Sequence, residues 1–186
     1  KTGDIGENMN KALLKPLPKT DQGLADLSKT RPIALMETMM KLVERILFSR
    51  VMKVILKHGM LREEQYGGLP ARSVASPIRM ATEIIEDAIA SGNELHLFSA
   101  DISKAFDSLE YWSQAMGWKA LGMSDELVNR LVRMDEQAKT AVVLGQGRTT
   151  ESVIGEEGWF SSMRGVRQGS VGGPIKWVIF INFWLE

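Results

Sequence analysis

The stretch that most constrains the fold is an apolar run that ends on an acidic residue. Residues 95–100 form a short, largely apolar run, and polar turn residues follow it. Such a run predicts a buried β-strand with Asp101 at its exit. Because side chains alternate along a strand, Asp101 would share a face with Leu97 and Ser99, at the rim of a cleft. A lone buried carboxylate is costly, so pairing or metal binding is expected there.

The composition restricts the chemistry that the chain can carry. Its 186 residues suit one domain, or two lobes that share a core. With no cysteine and two histidines far apart, the sequence excludes a disulfide framework, a thiolate nucleophile and a cysteine zinc site, and it argues against a histidine metal site. Any metal ion would therefore be held by oxygen ligands.

Charge is distributed unevenly although the net charge is zero. Residues 1–60 carry 11 basic and 6 acidic side chains, whereas residues 61–186 carry 12 and 17. A polyanion could contact the first third while a cation binds among the later carboxylates. A solvated basic helix explains the first excess equally well.

The first half of the chain predicts two strands and two helices. Ala12 to Lys19 is strand-like, and its prolines predict a place at a sheet edge. Thr30 to Leu35 is extended, because a residue before proline avoids helix. A long helix that stops at Gly59 follows, and the next helix has Ser76 as its N-cap and ends before Gly92. The expected apolar face of the long helix comprises Met39, Val43, Ile46, Leu47, Val54 and Ile55, and that of the second comprises Ile78, Ala81, Ile85, Ala88 and Ile89.

The second half alternates helices, strands and glycine-rich turns. A helix is predicted from about Leu109 to Leu121, and Ser124 caps the next one. Two strands, Thr140 to Leu144 and Arg148 to Ile154, read as a hairpin. A glycine-rich loop, 164–173, then leads into an apolar helix that begins at Pro174. Strands interleaved with helices and hairpins predict an α+β fold.

Four separated stretches carry motifs in a fixed order. They are Arg31-Pro32-Ile33-Ala34-Leu35 running into residues 41–47, Leu61 to Gly67, Phe98-Ser99-Ala100-Asp101-Ile102-Ser103-Lys104-Ala105-Phe106-Asp107, and Arg164-Gly165-Val166-Arg167-Gln168-Gly169 with Gly173-Pro174. Together they make the chain resemble the fingers and palm of reverse transcriptases, most closely those of non-LTR retrotransposons of the LINE type. The likeness covers roughly Ala12 to Asn182.

The resemblance implies an architecture and an activity. The fold would be the fingers/palm part of a right-hand polymerase, with an antiparallel palm sheet backed by helices. Residues 1–100 would be mostly fingers and residues 101–186 mostly an incomplete palm, with no thumb. The complete protein would be an RNA-directed DNA polymerase that adds dNTPs to a primer 3′-hydroxyl by two-metal catalysis. This chain begins without methionine and ends before the paired aspartates of the third motif, so the fragment alone is expected to be inactive.

The resemblance also assigns roles to individual residues. Asp101 would be the catalytic carboxylate and, with the backbone carbonyl of Ile102, would bind Mg²⁺ or Mn²⁺. The protein's partners would be an RNA template, a DNA primer and dNTP, and it would not bind a membrane. The protein would be intracellular, and nuclear if it comes from a eukaryotic retrotransposon. The residues implied in dNTP binding are Arg31, Lys15, Lys19, Phe106 and Gln168, and those implied in template or primer binding are Gly169, Arg164, Arg167 and Arg72.

Simpler roles stay open for several of these residues. Asp101 could form a turn, Phe106 could be a core residue, and either lysine could be solvated. Asp107 is at least as well placed to cap or salt-bridge the following helix as to bind metal. Arg164 and Arg167 could pair with the acidic residues Glu156 and Glu157.

Two alternatives to the leading function stay open as well. One is a group II intron or related bacterial reverse transcriptase, although those tend to have Pro-Gln-Gly where this chain has Val166-Arg167-Gln168-Gly169. The other is a catalytically dead reverse-transcriptase-like scaffold that only binds RNA. It is suggested by departures from the family pattern at Gly67-Gly68-Leu69 and at Gly173 to Trp177.

Overall fold

A four-stranded sheet and six α-helices make up the regular structure of the described residues. The structure is a computed structural model and describes residues 6–19, 29–143 and 159–185. Separate strands and helices of this kind agree with the predicted α+β class. The strands are β1 (Lys11–Pro18), β2 (Thr30–Met36), β3 (Lys139–Val142) and β4 (Phe160–Ser161), and the helices are α1 (Thr38–Lys57), α2 (Ala75–Ser91), α3 (Ala105–Ser108), α4 (Tyr111–Ala120), α5 (Asp125–Glu136) and α6 (Gly173–Trp184).

The sheet has the order β2-β1-β3-β4, so the predicted edge position of β1 is wrong. β1 pairs antiparallel with β2 and parallel with β3. The parallel pairing covers only Lys11 to Leu14, and the prolines of β1 lie beyond it. Pro16 stands opposite Pro32 of β2. Two opposed prolines fit an antiparallel ladder only where the pair exchanges no N–H···O bonds, so the prolines remain compatible with a central strand.

Helix α1 buries a face that overlaps the predicted one only at Ile55 and the partly buried Leu47. Its buried side chains are Met40, Glu44, Phe48, Val51 and Ile55, whereas Met39, Val43, Ile46 and Val54 are exposed. The prediction followed apolar residues alone and passed over Glu44, which lies on the buried stripe. The helix nevertheless ends where expected, because Lys57 is its last residue and Gly59 has φ +59°.

The main core lies between α1, α4, α5 and α6. Phe48 and Trp118 stack with ring centroids 6.2 Å apart at its centre. The predicted cap of α5 is confirmed, since Ser124 accepts a hydrogen bond from the Leu127 amide. Pro174 stands in the first turn of α6 as predicted. No helix in the described parts of the chain is both long and apolar enough to cross a membrane.

A buried ion pair joins α5 to α6. The Lys176 ammonium lies 2.7 and 2.8 Å from the two Asp135 carboxylate oxygens, and both residues are almost fully buried. The same ammonium lies 5.4 Å from the centroid of the Phe48 ring. The Tyr111 hydroxyl donates to the Ser162 carbonyl at 2.9 Å and lies 3.4 Å from the Asp135 carbonyl oxygen. Burial, followed by the Asp135 charge, raises the pKa of Tyr111 to about 12. The charge in the apolar helix α6 is therefore paired inside the core.

The strand predicted for residues 95–100 is wrong. Residues 93–102 have no regular structure and are exposed, with Leu97 and Phe98 at 66% and 94% of their full accessibility. A strand needs a hydrogen-bonding neighbour, and no described residue pairs with this segment. Helix α2 likewise buries none of its side chains. It begins at Ala75, one residue before the predicted cap Ser76, and ends at Ser91 with Gly92 as its C-cap, so its end before Gly92 is as expected.

The predicted hairpin is found only in part. Its first strand is β3, which ends at Val142, and residues 148–154 lie outside the described residues. The antiparallel neighbour that the structure gives β3 is β4, with Thr140 opposite Phe160. The second half of the sheet is therefore completed by the residues just before the glycine-rich loop.

The buried ion pair generates a stability prediction. Replacing Lys176→Met leaves the Asp135 carboxylate buried without its cation, which is expected to lower the free energy of unfolding by about 3 kcal/mol. Urea denaturation followed by circular dichroism measures the change. Lys119→Met is the matched control, because its pair with Asp125 at 2.7 Å is exposed and is worth at most about 1 kcal/mol. Equal losses in the two variants would contradict this interpretation.

Candidate functional site

A cavity of about 710 Å³ lies where the outer ends of β1 and β2 meet α3 and the glycine-rich loop. Among its described lining residues, four side chains are basic and one is acidic. Such a surface suits a polyanion. The lining residues with charged, aromatic or motif side chains, together with the motif glycine, are Lys19, Arg31, Lys104, Phe106, Asp107, Arg167, Gln168 and Gly169.

Backbone contacts hold the glycine-rich loop against β2. The Ala34 amide donates to the Gln168 carbonyl oxygen at 2.7 Å. Gly169 has φ +115°, and a Cβ atom there would lie 2.5 Å from the Ala34 carbonyl oxygen. Only glycine permits both this backbone conformation and this close approach. The loop therefore docks directly onto the strand that carries Arg31.

A second attachment joins the same loop to α1 through Glu44. This carboxylate is fully buried and accepts from the Ser170 hydroxyl, with 3.0 Å to each oxygen. It also accepts from the Val171 amide at 2.8 Å and the Gly172 amide at 3.4 Å. The sequence analysis missed Glu44, although a glutamate four residues from both Met40 and Phe48 on a buried helical stripe was a signal available in the sequence.

Phe106 stands at the boundary between two cavities. It belongs to α3, and its carbonyl accepts from the Val166 amide at 2.8 Å, which fixes α3 against the loop. Its half-buried ring lies 6.1 Å from the Trp177 ring. Phe106 lines the basic cavity and also a second cavity of about 540 Å³. It is therefore accessible from both sides rather than enclosed in the core.

The two acidic residues of the motif occupy different places. Asp101 is exposed and lines the second cavity together with Ile102, not the basic cavity. Asp107 lines the basic cavity, where its Oδ1 lies 3.4 Å from the Gln168 amide nitrogen. The expected capping role of Asp107 is wrong, because Asp107 lies inside α3 and the N-cap of α4 is Glu110.

The described residues do not form a complete metal site. Nowhere in these parts of the chain do three or more potential His, Cys, Asp or Glu ligands come together. Mg²⁺ requires near-octahedral coordination by about six oxygen atoms, including water. Asp101 and the Ile102 carbonyl would supply at most a few of these, so the described residues alone do not fit a complete Mg²⁺ site.

Of the remaining predicted binding residues, Arg167 lines the cavity, and its guanidinium is already hydrogen-bonded within the protein. Its guanidinium donates to the Asn10 side chain at 2.9 Å and to the Asn10 carbonyl at 3.3 Å. Its buried Nε has no partner among the described residues. Burial lowers the pKa of Arg167, while the charges of Asp135 and Glu44 oppose that shift. Arg167 therefore contributes positive charge at the cavity wall from a fixed position.

The other basic residues differ in their placement. Arg164 pairs with Glu110 at 3.2 Å, and the Glu156 and Glu157 partners considered above lie outside the described residues. Arg72 donates to three carbonyls of its own loop, those of Arg62, Glu63 and Gln65. The lining of the basic cavity includes Lys19 but neither Lys15 nor Arg72. Lys104, which the sequence analysis assigned no role, lines it with a left-handed backbone, φ +52°.

Comparison with known proteins identifies the family. The family model for "Reverse transcriptase (RNA-dependent DNA polymerase)" matches residues 17–186. The chain belongs to the reverse transcriptase family. The retrovirus-related Pol polyprotein from type-1 retrotransposable element R2 of Nasonia vitripennis is 28% identical over 86% of this chain. The transposon TX1 uncharacterized 149 kDa protein of Xenopus laevis is 25% identical over 91% of it.

These relatives confirm the predicted resemblance to reverse transcriptases of non-LTR retrotransposons. The chain spans 14% and 12% of the relatives' own lengths. It therefore corresponds to a reverse transcriptase domain within much larger relatives.

The contact between Gly169 and β2 generates a second prediction. Gly169→Ala is expected to lower the free energy of unfolding by at least about 2 kcal/mol, because the methyl group meets the Ala34 carbonyl and the backbone is left-handed. Gly122→Ala is the control, since Gly122 has φ +75° but open space around its Cβ position. It is expected to cost about 1 kcal/mol. Urea denaturation measures both, and equal losses would contradict the steric explanation.

Proposed function

We propose that this domain forms the nucleotide-binding part of an RNA-directed DNA polymerase, with residues 1–100 mostly fingers and residues 101–186 mostly palm. One observation carries the proposal: Lys19, Arg31, Phe106 and Gln168, each implied in dNTP binding by the resemblance, line one basic cavity. They come from separated stretches of the chain. A shared cavity is what a common ligand would require.

Arg31 and Lys19 are proposed to bind the triphosphate. Arginine can grip phosphate oxygens with two N–H groups, and lysine supplies a mobile point charge. Both side chains are exposed at the cavity, so they can reach a ligand from solvent. The cavity lining favours Lys19 over Lys15, two candidates that the sequence could not separate.

Phe106 and the Gln168–Gly169 pair are proposed to contact the sugar and the nascent base pair. A ring beneath the sugar would exclude a 2′-hydroxyl by its volume and so select deoxynucleotides. The Gln168 side chain and the glycine backbone face the same cavity as Arg31. Their position allows close backbone approach to the nucleic acid. Arg164, Arg167 and Arg72 remain proposed template or primer contacts.

Asp101 is proposed as the catalytic carboxylate, and with the Ile102 carbonyl as a ligand of Mg²⁺ or Mn²⁺. A divalent ion held there would supply positive charge to stabilise the negative charge that develops in nucleotidyl transfer from a dNTP to a primer 3′-hydroxyl. The remaining ligands would belong to the longer polymerase. The second cavity, beside Asp101, adjoins the basic cavity because Phe106 and Pro174 line both.

Nucleotide binding by the 186-residue chain tests the proposal. We expect it to bind a fluorescent dATP, with Arg31→Ala weakening the affinity about tenfold through loss of a charged phosphate contact. Fluorescence titration measures the dissociation constant. Arg45→Ala is the control, because Arg45 is exposed on α1 and does not line the cavity. Absence of dATP binding, or an unchanged affinity in Arg31→Ala, would contradict the proposal.

Primer extension on an RNA template tests the catalytic part. The purified chain is expected to extend a primer little or not at all, because no three possible His, Cys, Asp or Glu ligands come together among the described residues. In a complete polymerase that contains this domain, Asp101→Ala should abolish extension and leave template affinity unchanged. Undiminished extension by that variant would remove Asp101 from the site.

The RNA-binding scaffold remains the second candidate, because Asp101 lies outside the basic cavity. A scaffold would bind RNA through its basic surface, with an affinity that falls as salt rises. It would not bind dATP in the cavity. The dATP titration therefore separates the two functions, because a scaffold would bind RNA but not dATP.

A further inference from the structure

Glu44 is a buried acidic residue whose role the proposed function does not explain. Its side chain is 0% exposed on α1 and does not line the basic cavity. A buried carboxylate is costly unless its oxygens are satisfied by hydrogen-bond donors. Within the described residues, all hydrogen bonds to this carboxylate come from one loop segment, Ser170 to Gly172.

That segment directly follows the two residues that face the cavity. Gln168 and Gly169 are held to β2 through Ala34, while the next three residues are held to α1 through Glu44. β2 and α1 are consecutive elements separated only by Glu37. The loop is therefore fixed at adjacent positions by one continuous piece of structure.

The α1 surface next to Glu44 is shaped for the same loop. Gly172 lies against the Phe48 ring so closely that a Cβ atom would overlap it. Phe48 is one helical turn after Glu44, so both side chains face the loop from one stripe of the helix. Ser170, which donates to Glu44, is itself a lining residue of the cavity. One side chain therefore separates the buried carboxylate from the ligand-accessible surface.

We propose that Glu44 is a positioning residue for nucleotide binding: its buried carboxylate sets the Gln168–Gly173 loop so that Gln168 faces Arg31 across the cavity. The inference rests on the proposed function and deepens it. Glu44 does not touch the nucleotide. It acts through the Ser170 hydroxyl and the Val171 and Gly172 amides. Because the carboxylate is negatively charged, it accepts stronger hydrogen bonds from these three donors than a neutral acceptor would.

The test compares the affinities of three variants of the 186-residue chain for two ligands. The probes are a fluorescent dATP and a labelled RNA template–DNA primer duplex. Glu44→Gln keeps the shape but turns an NH₂ group towards backbone N–H donors, and it is expected to weaken dATP binding about tenfold. Ser170→Ala removes the donor to Glu44 together with the acceptor of the Gly172 amide at 3.1 Å, and it is expected to weaken dATP binding about threefold. The duplex affinity should change less than about twofold, because contacts along its backbone are spread over many residues.

Glu37→Gln is the matched control. Glu37 is exposed next to the first residue of α1 and makes no side-chain capping hydrogen bond, so both affinities should stay as in the unsubstituted chain. A purely structural role for Glu44 would lower the fraction of folded chains, and therefore the number of binding sites. It would leave the dissociation constant of the folded fraction unchanged.

Each outcome decides between explanations. A folded Glu44→Gln variant with unchanged dATP affinity would overturn the role of Glu44 and leave the proposed function intact. If that variant does not fold, Ser170→Ala decides in the same way, with a weakened affinity supporting the role and an unchanged one overturning it. If the unsubstituted chain does not bind dATP, the proposed function fails and the inference fails with it.

Discussion

The attachment of the Gln168–Gly173 loop to β2 and α1 is the constraint on which the rest of the site depends. This loop and the end of β2 that carries Arg31 form two walls of the basic cavity. The hydrogen bond from Ala34 to Gln168 and the missing side chain at Gly169 bring the two walls together. Without this contact, residues from distant motifs would have no reason to face one another.

Two buried acidic residues stabilise this arrangement in different ways. Asp135 has a full cationic partner in Lys176, so its charge is neutralised inside the helical core. The Glu44 oxygens accept hydrogen bonds from a serine hydroxyl and from backbone amides, which are neutral dipoles and not a cation. Buried charges contribute little net stability but are costly to leave unpaired. Both therefore favour one arrangement of α1, α5 and α6 around the loop.

Some residues that the sequence singled out share one cavity, whereas the packing around them was not predicted from the sequence. Arg31, Phe106 and Gln168 are recognisable because each belongs to a motif, and the structure brings all three to one cavity. Glu44 was missed because the wrong helical stripe was chosen for α1; its spacing from Met40 and Phe48 marks the buried stripe, but not which donors its carboxylate would meet. The buried partner of Lys176 was equally hidden, because Asp135 is 41 residues away in sequence.

The failed strand at residues 95–100 has a related cause. Its sequence has the composition of a strand, but composition describes what a strand would bury and not whether a neighbour is present to pair with it. In the described structure these side chains are exposed and Asp101 is exposed with them. The same local pattern in β1 and β2 was predicted successfully because those two strands pair with each other.

The register of β1 also determines when the sheet can form during synthesis. The parallel partner of β1 begins at Lys139, which is synthesised 128 residues after Lys11, so this pairing cannot form before then. Ribosomes add about 5–20 residues per second, and pairing across such a sequence separation carries a large loop-closure entropy. The β1–β2 hairpin can form early, whereas the glycine-rich loop reaches it only after nearly the whole domain has left the ribosome. Until then the nascent chain exposes the unpaired side of β1.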